Sequence, residues 1–95
     1  ESSWQQVVSE IRQELINLEN VRQRKALQVK ITDNTRKIRD KEVKAFKAGT
    51  ISLTRLNEVQ RDLVVAEERL SQDEIEFLQV KENLRAAIGT ISELD

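Results

Sequence analysis

Lys44–Leu56 reads KAFKAGTISLTRL, and on this stretch the fold turns. It holds Gly49, one of only two glycines in a chain with no proline, near the midpoint of 95 residues otherwise dominated by helix formers. Glycine reaches the left-handed backbone region without the penalty a side chain brings, so Gly49 is placed to close one helix. Ser52 or Thr54 is placed to cap the start of another. The expectation is an all-α antiparallel hairpin, with helix 1 over about 2–47, a tip at 48–52 and helix 2 over about 53–90.

Working outward toward the carboxy terminus, apolar positions recur in alternating steps of three and four. They run Leu56, Val59, Leu63, Ala66, Leu70, Asp73, Phe77, Val80, Leu84, Ala87 and Ile91, a heptad seam broken only by Asp73. Large residues (Leu56, Leu63, Leu70, Phe77, Leu84, Ile91) alternate with mostly smaller ones, a pattern suited to close antiparallel packing. Val64, Val65, Ile75, Leu78 and Ile88 lie off this seam and widen the apolar stripe enough for contact with more than one neighbour.

Toward the amino terminus the rhythm is carried by Trp4, Val8, Ile11, Leu15 and Leu18. It continues less regularly through Leu27, Ile31, Ile38, Val43 and Phe46. Thr32 to Lys37 is wholly polar. One continuous helix is the favoured reading there; a new helix capped by Asp33 or Thr35, giving a three-helix bundle, is the alternative. Trp4 is expected to be buried against Ala87, Ile88 or Ile91, and Gly89 to mark a helix end or kink. Arms of roughly 45 residues at about 1.5 Å per residue would each extend roughly 65 to 70 Å.

Charge separates the arms. Residues 1–47 hold 11 basic and 7 acidic side chains, net +4, whereas residues 50–95 hold 5 and 10, net −5. Side-by-side pairing brings opposite signs together, which helps specify the partner more than it stabilises the pair. Arg22 to Lys47 alone carries 10 basic and 3 acidic residues. With one aromatic at its end and no nucleic-acid-binding motif, that stretch is better read as the complement of the acidic arm than as a nucleic-acid surface.

Enzymatic and cofactor readings find little material. The chain has no histidine and no cysteine, which removes the commonest general acid–base side chain, thiolate metal sites and a cysteine nucleophile. The acidic groups Glu67-Glu68 and Asp73-Glu74-Glu76 lack the loop and glycine of a calcium motif and read as helix surface. No nucleotide-binding loop is present, so neither an enzyme nor a cofactor is expected. The opening ESSWQQVVSE has neither the basic nor the apolar segment of a signal peptide, and no apolar run approaches the roughly 20 residues of a membrane span. Starting on Glu rather than Met suggests a processed chain or, as the favoured reading, an excised piece of a longer one.

AFKAGTISLTRLNEVQRDLVVAEERLSQDEIEFLQVKENLRAAIG resembles the coiled-coil hairpin of TolC-type outer membrane efflux proteins. In that family an aromatic, two or three residues and a glycine form the tip, and a small hydroxyl residue then opens a helix with fixed Leu and Ala positions. The matching residues are Phe46, Gly49, Ser52, Leu53, Leu56, Val59, Gln60, Leu63, Ala66, Leu70, Phe77, Leu78, Leu84, Ala87 and Gly89. The likeness is close over residues 43–91. Arg55 stands where an acidic residue is frequent, Phe46 and Phe77 replace tyrosines, and Asp73 interrupts the seam.

The resemblance implies a periplasmic duct segment of a homotrimeric outer membrane channel, its membrane contact made only by parts outside this chain. It also implies docking of a periplasmic adaptor's hairpins through Phe46, Lys47, Ala48, Gly49, Thr50, Ile51 and Ser52. The adaptor's own tip pattern, an Arg, a Leu and a Ser at set spacing, fails here: counting back from Ser52 finds Lys41 and Ala45. The alternative from another class is a free-standing coiled-coil or three-helix interaction module.

Overall fold

The computed structural model describes residues 2–94, which form two helices and the turn between them. The first, α1, spans Ser2–Lys47 and the second, α2, spans Leu53–Leu94. The fold is an all-α helical hairpin. The polar run Thr32 to Lys37 lies inside α1 without a break, so the three-helix alternative is set aside. Thr35 donates its hydroxyl to the Ile31 carbonyl at 2.7 Å, the back-bonding a mid-helix threonine makes when it does not cap. α2 continues past Gly89 to Leu94; Gly89 neither ends nor reverses it, and Gly49 alone among the described residues has positive φ.

Two compact units divide the hairpin. The unit Ala26–Gln72 contains the turn. Its α2 face buries Leu56, Val59, Leu63 and Ala66, with Leu70 half-buried, as the heptad spacing predicts. Val59, only 1% exposed, gains about 1.5–3 kcal/mol from full burial. The facing surface of α1 corrects the expectation. Leu27, Ile31 and Ile38 are exposed, Val43 is half-buried as expected, and the other inward positions include Gln28, Thr32, Thr35, Arg39 and Glu42.

These polar residues are accommodated by specific partners. Thr32 Oγ1 and Gln28 Nε2 each donate to the Ala66 carbonyl at 3.2 Å, a convergence that the short alanine side chain permits. Thr32 is 1% exposed, so its hydroxyl must be paired, and it is. Arg36 bridges to Glu67 at 3.2 Å, and Glu42 lies 3.5 Å from Arg55.

The second unit comprises residues 2–25 and 73–94 among those described. On α1, Val7 and Val21 are buried, and Ile11, Glu14, Leu18 and Lys25 are half-buried. On α2, Val80 is buried while Asp73, Phe77, Leu84, Ala87 and Ile91 are half-buried. Asp73 enters the seam because Arg24 meets its Oδ1 at 3.2 Å and also pairs with Glu76. Lys25 is tolerated there because its ammonium sits 4.9 Å from the Phe77 ring centroid, with Lys81 at 5.4 Å.

Leu15 and Trp4 do not lie where apolarity alone places them. Leu15 is 51% exposed, one step out of phase with Val7, Ile11 and Leu18. Trp4 is in phase but 49% exposed. Arg24 opposite Asp73 sets the register, so Trp4 lies level with the last turn of α2, where little helix remains to cover it. On the surface of α1, a hydrogen bond from Arg22 holds the Glu19 carboxyl below its usual range.

Candidate functional site: the hairpin tip

Residues 48–52 connect the helices, and the first three of their backbone N–H groups are paired with carbonyls at the end of α1. The Ala48 N–H donates to Lys44 O at 3.0 Å, Gly49 N–H to Phe46 O at 2.9 Å, and Thr50 N–H to Ala45 O at 2.9 Å. The last two bonds, with Gly49 at φ 78°, make a Schellman motif: a six-to-one bond enclosing a five-to-two bond around a left-handed residue. The Thr50 hydroxyl reinforces it by donating to the same Ala45 carbonyl at 3.0 Å. A Cβ at residue 49 would meet nothing within 4 Å, so glycine is required there by backbone conformation and not by crowding.

The start of α2 is built as simply. Ser52 Oγ accepts the Arg55 N–H at 3.1 Å, satisfying one of the free donors at a helix beginning, and the Ser52 carbonyl accepts the Leu56 N–H at 3.2 Å. Ser52, and not Thr54, is therefore the cap. Arg55 sits between Glu42 at 3.5 Å and Glu58 at 3.7 Å, which gives the basic residue at this position a local use across the hairpin.

Every predicted tip residue falls in this turn or on the helix end beside it. Lys47, Ala48, Gly49, Thr50 and Ser52 are exposed, Ile51 is half-buried, and Phe46 remains 38% exposed. Leu53, the first residue of α2, is 57% exposed. Lys47 is the only charged side chain from Phe46 to Leu53. A small, nearly neutral knob with three accessible apolar side chains offers shape and apolar contact to a partner.

The seam residues Leu56, Val59, Leu63, Ala66, Leu70, Phe77, Leu84 and Ile91 all turn toward α1, within whichever unit each belongs to. Sequence reasoning passed over Gln28 and Thr32, the two buried polar residues among those described. Their signal was phase: both fall on the three-and-four stepping begun by Val7, Ile11, Leu18 and Val21. Among the described residues, no group of three or more Asp or Glu side chains is arranged to hold a metal ion. Glu67, Asp73 and Glu76 are instead engaged by arginines. No described helix is long and apolar enough to cross a membrane. No protein-family model, curated protein or solved structure matches the chain.

Proposed function

We propose that the hairpin is part of the periplasmic duct of a TolC-type outer membrane efflux or secretion channel, a homotrimer in its complete form, and docks a periplasmic adaptor through its tip. The observation that carries this reading is the tip itself. The Schellman turn and the Ser52 cap fix its backbone, while Phe46, Ile51 and Leu53 stay accessible beside a single charge. A turn needed only to reverse the chain gains nothing from exposing three apolar side chains. A tip that receives another hairpin does.

The resemblance over residues 43–91 supports the same reading, because Phe46, Gly49, Ser52 and Leu53 are the tip residues that carry it. Exposed apolar residues on α2 away from the seam, among them Val64 and Leu78, fit a hairpin that also has lateral neighbours.

Leu53→Asp tests the docking role without disturbing the fold. The side chain is exposed, and an acidic residue in the first turn complements the helix dipole. In the complete channel carrying Ala48→Cys as the crosslinking position, Leu53→Asp is expected to abolish both adaptor crosslinking and drug export while leaving helicity intact. Crosslinking and export at the unsubstituted level would overturn the assignment.

A further inference from the structure

The few charges at the tip are of one sign. Residues 43–57 are the longest run of the chain without an acidic side chain, and within them stand Lys44, Lys47 and Arg55. The chain as a whole is balanced, with 16 basic and 17 acidic residues, so the excess is local to the tip. The three do not contribute equally. Arg55 is engaged by Glu42 at 3.5 Å and by Glu58 at 3.7 Å. Lys44 lies about one turn nearer the body of α1 and is half-buried. Lys47 ends α1, is exposed, and has no carboxylate partner among the described residues.

Distance leaves that charge uncompensated. Beyond the two glutamates beside Arg55, the next acidic residues along the helices are Asp40 and Asp62. At about 1.5 Å per residue, Asp40 lies about 10 Å along α1 from Lys47, and Asp62 about 14 Å along α2 from Leu53, both past the screening length of about 8 Å at physiological salt. Asp40 also meets Arg39 at 2.7 Å. The α-carbon of Lys47 is about 3.8 Å from that of Phe46, and its flexible stem, held by no ion pair, brings the ammonium to the edge of the accessible Phe46, Ile51 and Leu53. A lysine in the last turn also suits the dipole of α1, but that role needs no partner and shows in stability.

We propose, resting on the docking reading above, that the protein surface received by the tip carries a carboxylate at the edge of its own apolar contact, placed to meet Lys47. Protein contacts join an apolar centre to a polar rim, and at the rim opposite charge selects the partner and guides its approach more than it adds affinity. A surface with a basic group at that place meets an ammonium that nothing nearby offsets. Arg55 takes no part, because its charge is met within the hairpin.

Adaptor crosslinking from Ala48→Cys in the complete channel tests it, with Lys47→Gln, Lys47→Glu, Lys47→Arg and Arg55→Gln added singly. Both positions are exposed, and circular dichroism verifies that each variant remains helical. Lys47→Gln is expected to lower crosslinking about fivefold and Lys47→Glu about tenfold or more, while Arg55→Gln changes it by less than about twofold. Lys47→Arg keeps the charge and crosslinks at the level of the otherwise unsubstituted tip. Added salt weakens crosslinking of that tip and leaves Lys47→Gln unchanged. A Lys47→Glu channel that crosslinks as well as the otherwise unsubstituted one or better, or equal losses in Lys47→Gln and Arg55→Gln, would overturn the carboxylate and leave the docking reading in place. Absence of crosslinking from the otherwise unsubstituted tip would overturn the docking reading, and the carboxylate with it.

Discussion

Alanine at each glycine is expected to move stability in opposite directions, although neither position has a neighbour to clash with. A Cβ added at Gly49 or at Gly89 meets nothing within 4 Å, so packing drops out and the backbone alone decides. At Gly49, φ is 78°, a region that costs an L-residue about 1–2 kcal/mol. Fewer unfolded conformations return about 0.4–1 kcal/mol. The net expectation is a loss of about 1 kcal/mol. At Gly89, inside α2, the same substitution gains up to about 0.8–1 kcal/mol of helix propensity, reduced by its nearness to the end at Leu94.

Urea unfolding followed at 222 nm, at micromolar concentration so that self-association does not contribute, reads both changes. With a urea dependence of about 1–3 kcal/mol/M, the Gly49→Ala midpoint falls by roughly 0.3–1 M and the Gly89→Ala midpoint rises by less than that. D-alanine at residue 49 separates conformation from any other effect of a methyl group, because it favours positive φ. It is expected to stabilise where L-alanine destabilises. A Gly49→Ala chain as stable as the unsubstituted one, or a D-alanine chain weakened like the L-alanine one, would refute the turn geometry.

Ser52→Ala removes the oxygen that accepts the Arg55 N–H and is expected to cost about 1 kcal/mol, with Ser52→Asp restoring most of it; the same urea titration measures both. Thr32→Val exchanges a hydrogen bond of about 1 kcal/mol for a buried methyl worth about 0.8 kcal/mol, and the Ala66 carbonyl keeps its Gln28 donor. Stability within about 0.5 kcal/mol of the unsubstituted chain is therefore expected, while a loss above about 2 kcal/mol would mean that the hydroxyl does more than satisfy itself.

The inward face of α2 was legible because apolarity and phase agree at every seam position except Asp73, so either criterion finds the same residues. Gly49 was legible for a comparable reason: few residues tolerate the conformation that ends a helix in this way. On α1 the two criteria separate. Following apolar side chains leads from Leu18 to Leu27, Ile31 and Ile38, which are exposed, whereas following the phase of Val7, Ile11, Leu18 and Val21 leads to Lys25, Gln28 and Thr32. Hydrophobicity misleads when one helix carries two stripes and only one has its partner in the chain. The turn's hydrogen bonds alone carry no docking role, since a Schellman turn followed by a serine cap serves any hairpin; the accessible Phe46, Ile51 and Leu53 are what set this tip apart. In Ala26–Gln72, Gln28, Thr32 and Thr35 of α1 take inward positions while Leu27, Ile31 and Ile38 face outward, the reverse of what an isolated two-helix core favours. Within this unit the fully buried apolar side chains are Leu56, Val59, Leu63 and Ala66, all from α2.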